Sequence, residues 1–309
     1  MWNVESISDS FTLSVPINAD SVFHNDAIAA LIQQMLDDFK AKGVPANGSS
    51  RLCQYAALFN SSLNHAPSES IQEKLDVALL ETLQFETIRR MLHVGPECQS
   101  FRRDVAIALS GGFDASEDKP DCKSRSTQFE LYLWAWLRLA GFTTTFGEPD
   151  LLVQMERENA LAIAAKRPRS IKKLVKNLRS GCKQIANSNR DGFVALDLSF
   201  IKSLRKPVYV RQAEQHQVVS KIVLDGFVHE HQQEICRSVQ SPQVIGVLFH
   251  YSSVVRALEV PARLVSRRWL FLQTRGSLLD ENCARILRSL QAVGRTHSSV
   301  ESQSAGNRT

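Results

Sequence analysis

Two short apolar runs, Leu151-Leu152-Val153 and Leu161-Ala162-Ile163-Ala164-Ala165, flank a polar turn. Their length and spacing predict a β-hairpin. Pro149-Asp150 enters the first run, and Lys166-Arg167-Pro168 leaves the second. Side chains alternate across a strand, so positions 164 and 166 project from the same face. Asp150, at the start of the preceding strand, reaches the same place. The pattern predicts a carboxylate and an ammonium converging at one end of the hairpin. Ala164 projects beside them.

The flanks of the hairpin constrain the architecture further. Phe129, Leu133, Trp136, Leu137 and Ala140 form a helical apolar face that ends at Gly141, a helix-terminating residue. Glu130 adjoins that face, an unusual place for an acid without a partner. Beyond the hairpin, residues 170–187 read as a second helix, with Ile171, Leu174, Val175, Leu178, Cys182 and Ile185 along one side. Lys172, Lys173, Lys176, Arg179 and Lys183 fall largely on the other side, continuing from Lys166, Arg167 and Arg169. No acid interrupts the chain from Lys166 to Ile185. A single-sign run of this kind suits a phosphate backbone. Residues 192–199 then predict a further strand, followed by two more at 244–250 and 269–272.

A Pro-Asp, an apolar run, and a second run ending in acid-x-Lys resembles the PD-(D/E)XK restriction-endonuclease-like nucleases, with Ala164 in place of the second acid. The resemblance covers residues 125–200 firmly and extends to about 275. It implies an α/β fold with a restriction-endonuclease-like core, a mixed central sheet flanked by helices. It also implies metal-dependent phosphodiester hydrolysis, with DNA as the expected partner and Mg²⁺ or Mn²⁺ as cofactor. Asp150, position 164 and Ala165 would then hold the metal. Lys166 would position the attacking water and offset developing charge. Glu130 matches a glutamate that many members carry on the helix before the hairpin. Gln184 resembles a glutamine or lysine that helps orient substrate. Arg167, Arg169, Lys172, Lys173, Lys176, Arg179 and Lys183 are the expected nucleic-acid contacts. The family's distribution suggests restriction or bacterial anti-phage defence.

Ala164 has no ligand atoms, so the chain as it stands is expected to be inactive as a metal nuclease. Two explanations stay open: a scaffold kept for binding, or a glutamate-to-alanine substitution in a nuclease. Glu148 and Asp197 are the nearest candidates for a relocated acid, Asp197 being the better placed on an adjoining strand. Glu156 and Glu158 lie near the turn, and Glu158 is too far along the strand to serve. The alternative to an enzyme is a non-catalytic subunit that binds nucleic acid or a partner protein.

Elsewhere the sequence carries less chemistry. Residues 1–110 read as mainly helical, with helices over Ala27–Phe39 and from Ser70-Ile71-Gln72-Glu73 to about Leu92, and a loop at 43–50. Residues 111–126 read as a linker, 127–290 as the nuclease-like domain and 296–309 as a disordered tail. The N-terminal helices offer a face for a partner protein or a second copy. His229 and His231 would share a face if extended. The six cysteines show no zinc spacing, which together with the lack of an apolar leader or membrane-length run suggests a cytoplasmic protein without membrane contact. A net charge of +5 permits nucleic-acid binding without requiring it.

Overall fold

The computed structural model describes residues 11–15, 24–63, 67–92, 99–114, 123–155, 160–212, 215–258, 263–273 and 286. The chain is mixed α/β and divides into two compact units, one spanning 22–135 and 261–263, the other 1–21, 136–260 and 264–309. The division at 135/136 falls inside the helix Ser124–Leu139, to which residues 124–126 also belong. Residues 115–122 and the 296–309 tail lie outside the described residues.

The first unit is helical: α1 (Asn25–Ala41), α2 (Arg51–Ser61), α3 (Glu69–Arg90), α4 (Gln99–Leu109) and most of α5 (Ser124–Leu139). The expected capping box at Ser70 gives way to an N-cap at Ser68, two residues earlier. Apolar side chains such as Ile32, Phe39, Leu52, Phe59, Leu79 and Phe85 fill the interior. A buried ion cluster joins four of the helices. The Glu81 carboxylate of α3 pairs with Arg51 of α2 and Arg125 of α5, and accepts a hydrogen bond from the Tyr55 hydroxyl. Arg51 also donates to the carbonyls of Ala108 and Ser110, which closes the end of α4. Arg125 donates to the carbonyls of Gly112 and Phe113 at 3.1 Å. Burial, reinforced by the Glu81 charge, pushes the Tyr55 hydroxyl up, so it remains a donor.

The second unit is built on an eight-stranded mixed sheet ordered β1 (Phe11–Val15), β8 (Arg263–Gln273), β7 (Val244–Ala257), β5 (Gly192–Asp197), β4 (Ala160–Lys166), β3 (Leu151–Gln154) and β2 (Thr144–Phe146), with β6 (Val208–Val210) pairing on β7. β1 makes the N-terminal region less uniformly helical than expected, since it pairs antiparallel with β8. The hairpin forms as predicted, with Leu151 opposite Ile163 and Val153 opposite Leu161. β4, β5 and β7 run parallel. Two crossover helices, α6 (Ile171–Asn187) and α7 (His216–Ser238), cover one face of the sheet. Ala162, Ala164, Val194, Leu196, Phe249 and Leu270 point into that core and meet Leu174, Leu178 and Ile185 of α6 and Leu224 and Phe227 of α7. On the other face the Trp136 and Trp269 rings meet edge to face, with centroids 6.2 Å apart. No helix among the described residues is long and apolar enough to cross a membrane.

Glu81 pairs with two guanidiniums that are both buried, so its truncation should be costly. The Glu81→Ala variant is expected to lose about 3–5 kcal/mol, read from urea unfolding followed by circular dichroism. A loss below about 1 kcal/mol would mean that water already screens the cluster.

Candidate functional site

The parallel strands β4, β5 and β7 end together, and the chemistry-bearing residues gather at those carboxyl ends. Open α/β sheets commonly bind ligands at such an edge. Continuing the β3–β4 register by one residue places Asp150 across from Ala164. The Ala165 N–H donates to Asp150 Oδ2 at 2.8 Å, and Lys166 Nζ donates to the same oxygen at 2.8 Å. The ammonium also donates to the Ala165 carbonyl at 3.0 Å. Asp150 and Lys166 are therefore brought together as the hairpin pattern predicts. Burial pushes the Asp150 carboxyl up, and the Lys166 charge and two hydrogen bonds only partly pull it back.

This arrangement does not fit magnesium or manganese. Of the three expected ligands, Asp150 and the Ala165 carbonyl are both bonded by Lys166, so the ammonium takes the position between them that a cation would need. The third, Ala164, is fully buried in the core under α6. A Cβ built on Gly181 of α6 would lie 3.4 Å from the Ala164 methyl and 2.8 Å from Val194 Cγ1. The helix thus sits on the strands with room for only a hydrogen at 181. Among the described residues, no three His, Cys, Asp or Glu side chains form a group able to hold a metal.

Neither relocated acid fills the gap. Glu148 is exposed, and its charge helps to raise Asp150. Asp197 lies on the opposite face of the sheet, because Ala164 pairs with Val194 and position 197 has the other parity. Glu156 and Glu158 lie outside the described residues. Gln184 is carried away from Lys166: Gly181 sits over Ala164, and Ile185 reaches Gly192, the partner of Ala162 nearer the amino ends of the strands. Glu130 is half-buried on α5 and belongs to the helical unit. His229 and His231 lie on α7, where a separation of two does not place them on one face.

The expected basic surface divides. Arg167 is buried and leaves it, pairing with Asp197 at 3.0 Å and covering the Phe200 ring at 4.6 Å. Arg169, Lys172, Lys173, Lys176, Arg179 and Lys183 are exposed. The last five have no acid partner among the described residues. Ser170 caps α6 by accepting from the Lys173 N–H, and no acid lies in the first turn. The helix dipole therefore adds to the positive field at that end.

On the opposite face the strand ends are locked by a buried polar line that sequence reasoning did not find. His250 Nδ1 lies 3.0 Å from Asp197 Oδ1, and Ser252 Oγ lies 3.2 Å from His250 Nε2. Arg267 Nε donates to Ser252 Oγ at 3.4 Å, and Ser199 donates to Asp197 from both its hydroxyl and its N–H. Burial alone would raise Asp197, but Arg167, His250 and Ser199 together hold it well below the usual carboxylate range. The ionised carboxylate fixes the imidazole proton on Nδ1, which leaves Nε2 to accept from Ser252. The order of groups is that of a serine-hydrolase relay. Here, however, Ser252 is 4% exposed and its N–H is bonded to Ser199 Oγ. The line ties β5 to β7 and serves the fold. Spacing in the sequence gives no sign of it, because Asp197 and His250 come from different strands.

Two outcomes follow from this geometry. Ala164→Glu should destabilise the sheet unit by about 1–3 kcal/mol from overpacking alone, measured by denaturant unfolding. An unchanged midpoint would show that α6 yields. The second concerns acid. Burial first, and then Arg267 and Arg167, lower the His250 pKa, with Asp197 opposing. The folded chain therefore favours neutral imidazole, and this contribution is complete above the unfolded value near 6.5 and is lost as pH falls below it. Asp197, also lowered, adds a further loss as pH falls below about 3.9. Stability measured between pH 7.5 and 5 should decline in the wild type and flatten in His250→Gln; parallel curves would contradict the assignment. Comparison with family models, with curated proteins and with solved structures finds no match to this chain.

Proposed function

We propose that the chain binds nucleic acid through the basic face of α6, on a restriction-endonuclease-like scaffold whose metal position is held by its own lysine. The observation that carries this reading is the fate of the basic run after β4. Lys166 and Arg167 are consumed by internal carboxylates, whereas Lys172, Lys173, Lys176, Arg179 and Lys183 stay exposed without acid partners among the described residues. Lys172, Lys176, Arg179 and Lys183 recur every three or four residues and so form one stripe along α6, about 16 Å long at 1.5 Å per residue. A stripe of that length spans several phosphates of a duplex, which carries a charge every 1.7 Å or so. Such contacts give affinity without base readout. DNA is the favoured partner, bound without cleavage.

The competing reading is a metal nuclease whose second acid is missing at 164, and the convergence of Asp150 with Lys166 favours it. The full burial of Ala164 in the core under α6 weighs against it, because a glutamate there would have to enter that apolar layer.

The test measures duplex DNA binding against salt concentration. Five phosphate contacts predict a slope of log K against log salt near −4.5. Changing Lys172, Lys176, Arg179 and Lys183 to alanine should cut the slope by about 3.6, and binding should not require magnesium. DNA cleavage by Ala164→Glu in the presence of Mg²⁺ or Mn²⁺ would return the nuclease reading, and absence of binding by the wild type would end this one.

A further inference from the structure

The segment from Ile201 to Arg211 has a charge and burial pattern that the α6 stripe does not explain. No acid occurs between Asp197 and Glu214, while Lys202, Arg205, Lys206 and Arg211 are all exposed. Ile201 is buried in the core beneath α6 and α7, and Leu204 packs against that same core. The Leu204 carbonyl accepts a hydrogen bond from the Tyr251 hydroxyl at 2.9 Å. The segment is thereby anchored at its start, and it ends in β6, whose Val208 and Val210 pair with Val255 and Ala257 of β7. Between those two valines stands Tyr209, 56% exposed.

Tyr209 is the only exposed aromatic residue among the described residues. Its ring is held in position. Arg256, its register partner on β7, donates from Nη1 to the Tyr209 hydroxyl at 3.2 Å, with the guanidinium carbon 5.8 Å from the ring centroid. That distance is within cation–π range. An outward aromatic ring fixed by an arginine and preceded by three exposed cations combines the two elements of a single-strand platform. The ring offers a surface on which an unpaired base can stack, and the cations track the phosphates. A duplex keeps its bases stacked within the helix and gains little from such a ring.

We infer that Tyr209, with Lys202, Arg205, Lys206 and Arg211, forms a stacking site for single-stranded nucleic acid, separate from the α6 stripe. The inference rests on the reading that the chain binds nucleic acid. It deepens that reading by assigning unpaired bases to Tyr209 and backbone contacts to α6. Tyr209 shares a sheet face with Arg256, whereas α6 covers the other face, so the segment from 201 to 208 carries positive charge from one to the other.

The experiment compares binding of a single-stranded oligothymidine and of a duplex by the full chain and by Tyr209→Ala, Tyr209→Phe and Tyr209→Trp. Tyr209→Ala should weaken single-strand binding by about 5- to 150-fold and leave duplex binding unchanged. Tyr209→Phe, which keeps the ring and loses the hydroxyl, should stay within about twofold of wild type on the stacking energetics. Tyr209→Trp should show indole fluorescence quenched by the oligothymidine. If Tyr209→Ala holds the single strand as tightly as wild type while the α6 variant loses the duplex, this inference fails and the nucleic-acid reading stands. If the wild type holds neither, both fail. If Tyr209→Ala only changes self-association, seen as a concentration-dependent sedimentation shift, the ring serves contact with a second copy and the inference is overturned.

Discussion

The contact between α6 and the β4–β5 pair at Gly181 governs the sheet unit. A glycine at that point lets the helix settle onto Ala164 and Val194 with no side chain between them. Leu174, Leu178 and Ile185 then reach the same apolar layer as Phe249 and Leu270. The price of so close an approach is that the strand beneath must be small. Ala162 and Ala164 supply that smallness on the face beneath α6. A larger residue at either position would push the helix out and open the core.

Asp150 and Lys166 follow from the same constraint. With a methyl at 164, the remaining carboxylate at the end of β3 needs a positive partner, since a partly buried acid without one is costly. Lys166 provides it and simultaneously saturates the Ala165 carbonyl. On the other face Arg167 does the same for Asp197, which also fixes the tautomer of His250. Consecutive residues of one strand end therefore neutralise acids on opposite faces of the sheet. Both cations are paired within the fold.

How much of this was legible in the sequence depends on the range of the interaction. The hairpin, α5, α6 and β5 could be read because periods of 2 and 3.6 are local properties of the chain. Lys166 meeting Asp150 could be read because a short hairpin fixes its register. Ala164 facing Gly181 could not, because no local pattern says which turn of a crossover helix lies over which strand residue. Arg167 was misplaced on the basic surface for a related reason: alternation turns it to the face opposite Lys166, and its partner lies 30 positions away. The Glu81 cluster joins residues from four helices and leaves no periodic trace. β6 is three residues long, too short for a pattern, and the acid-free run around it was the signal available.

The stripe on α6 has an energetic consequence of its own. Lys172 with Lys176, and Arg179 with Lys183, are like charges at i,i+4, and Lys173 with Lys176 and Lys176 with Arg179 are like charges at i,i+3. Each such pair costs a few tenths of a kcal/mol in an isolated helix. No acid on the same helix offsets them, for α6 has none. The helix is held instead by its apolar side, by the Ser170 cap and by the Gly181 contact, all of which are indifferent to charge. Tertiary packing thus bears a repulsion that a polyanion would relieve, because phosphates would lower the mutual energy of all five cations at once. Positive charge that α6 does not offset with any acid of its own is the physical basis for the proposed contact with a nucleic-acid backbone.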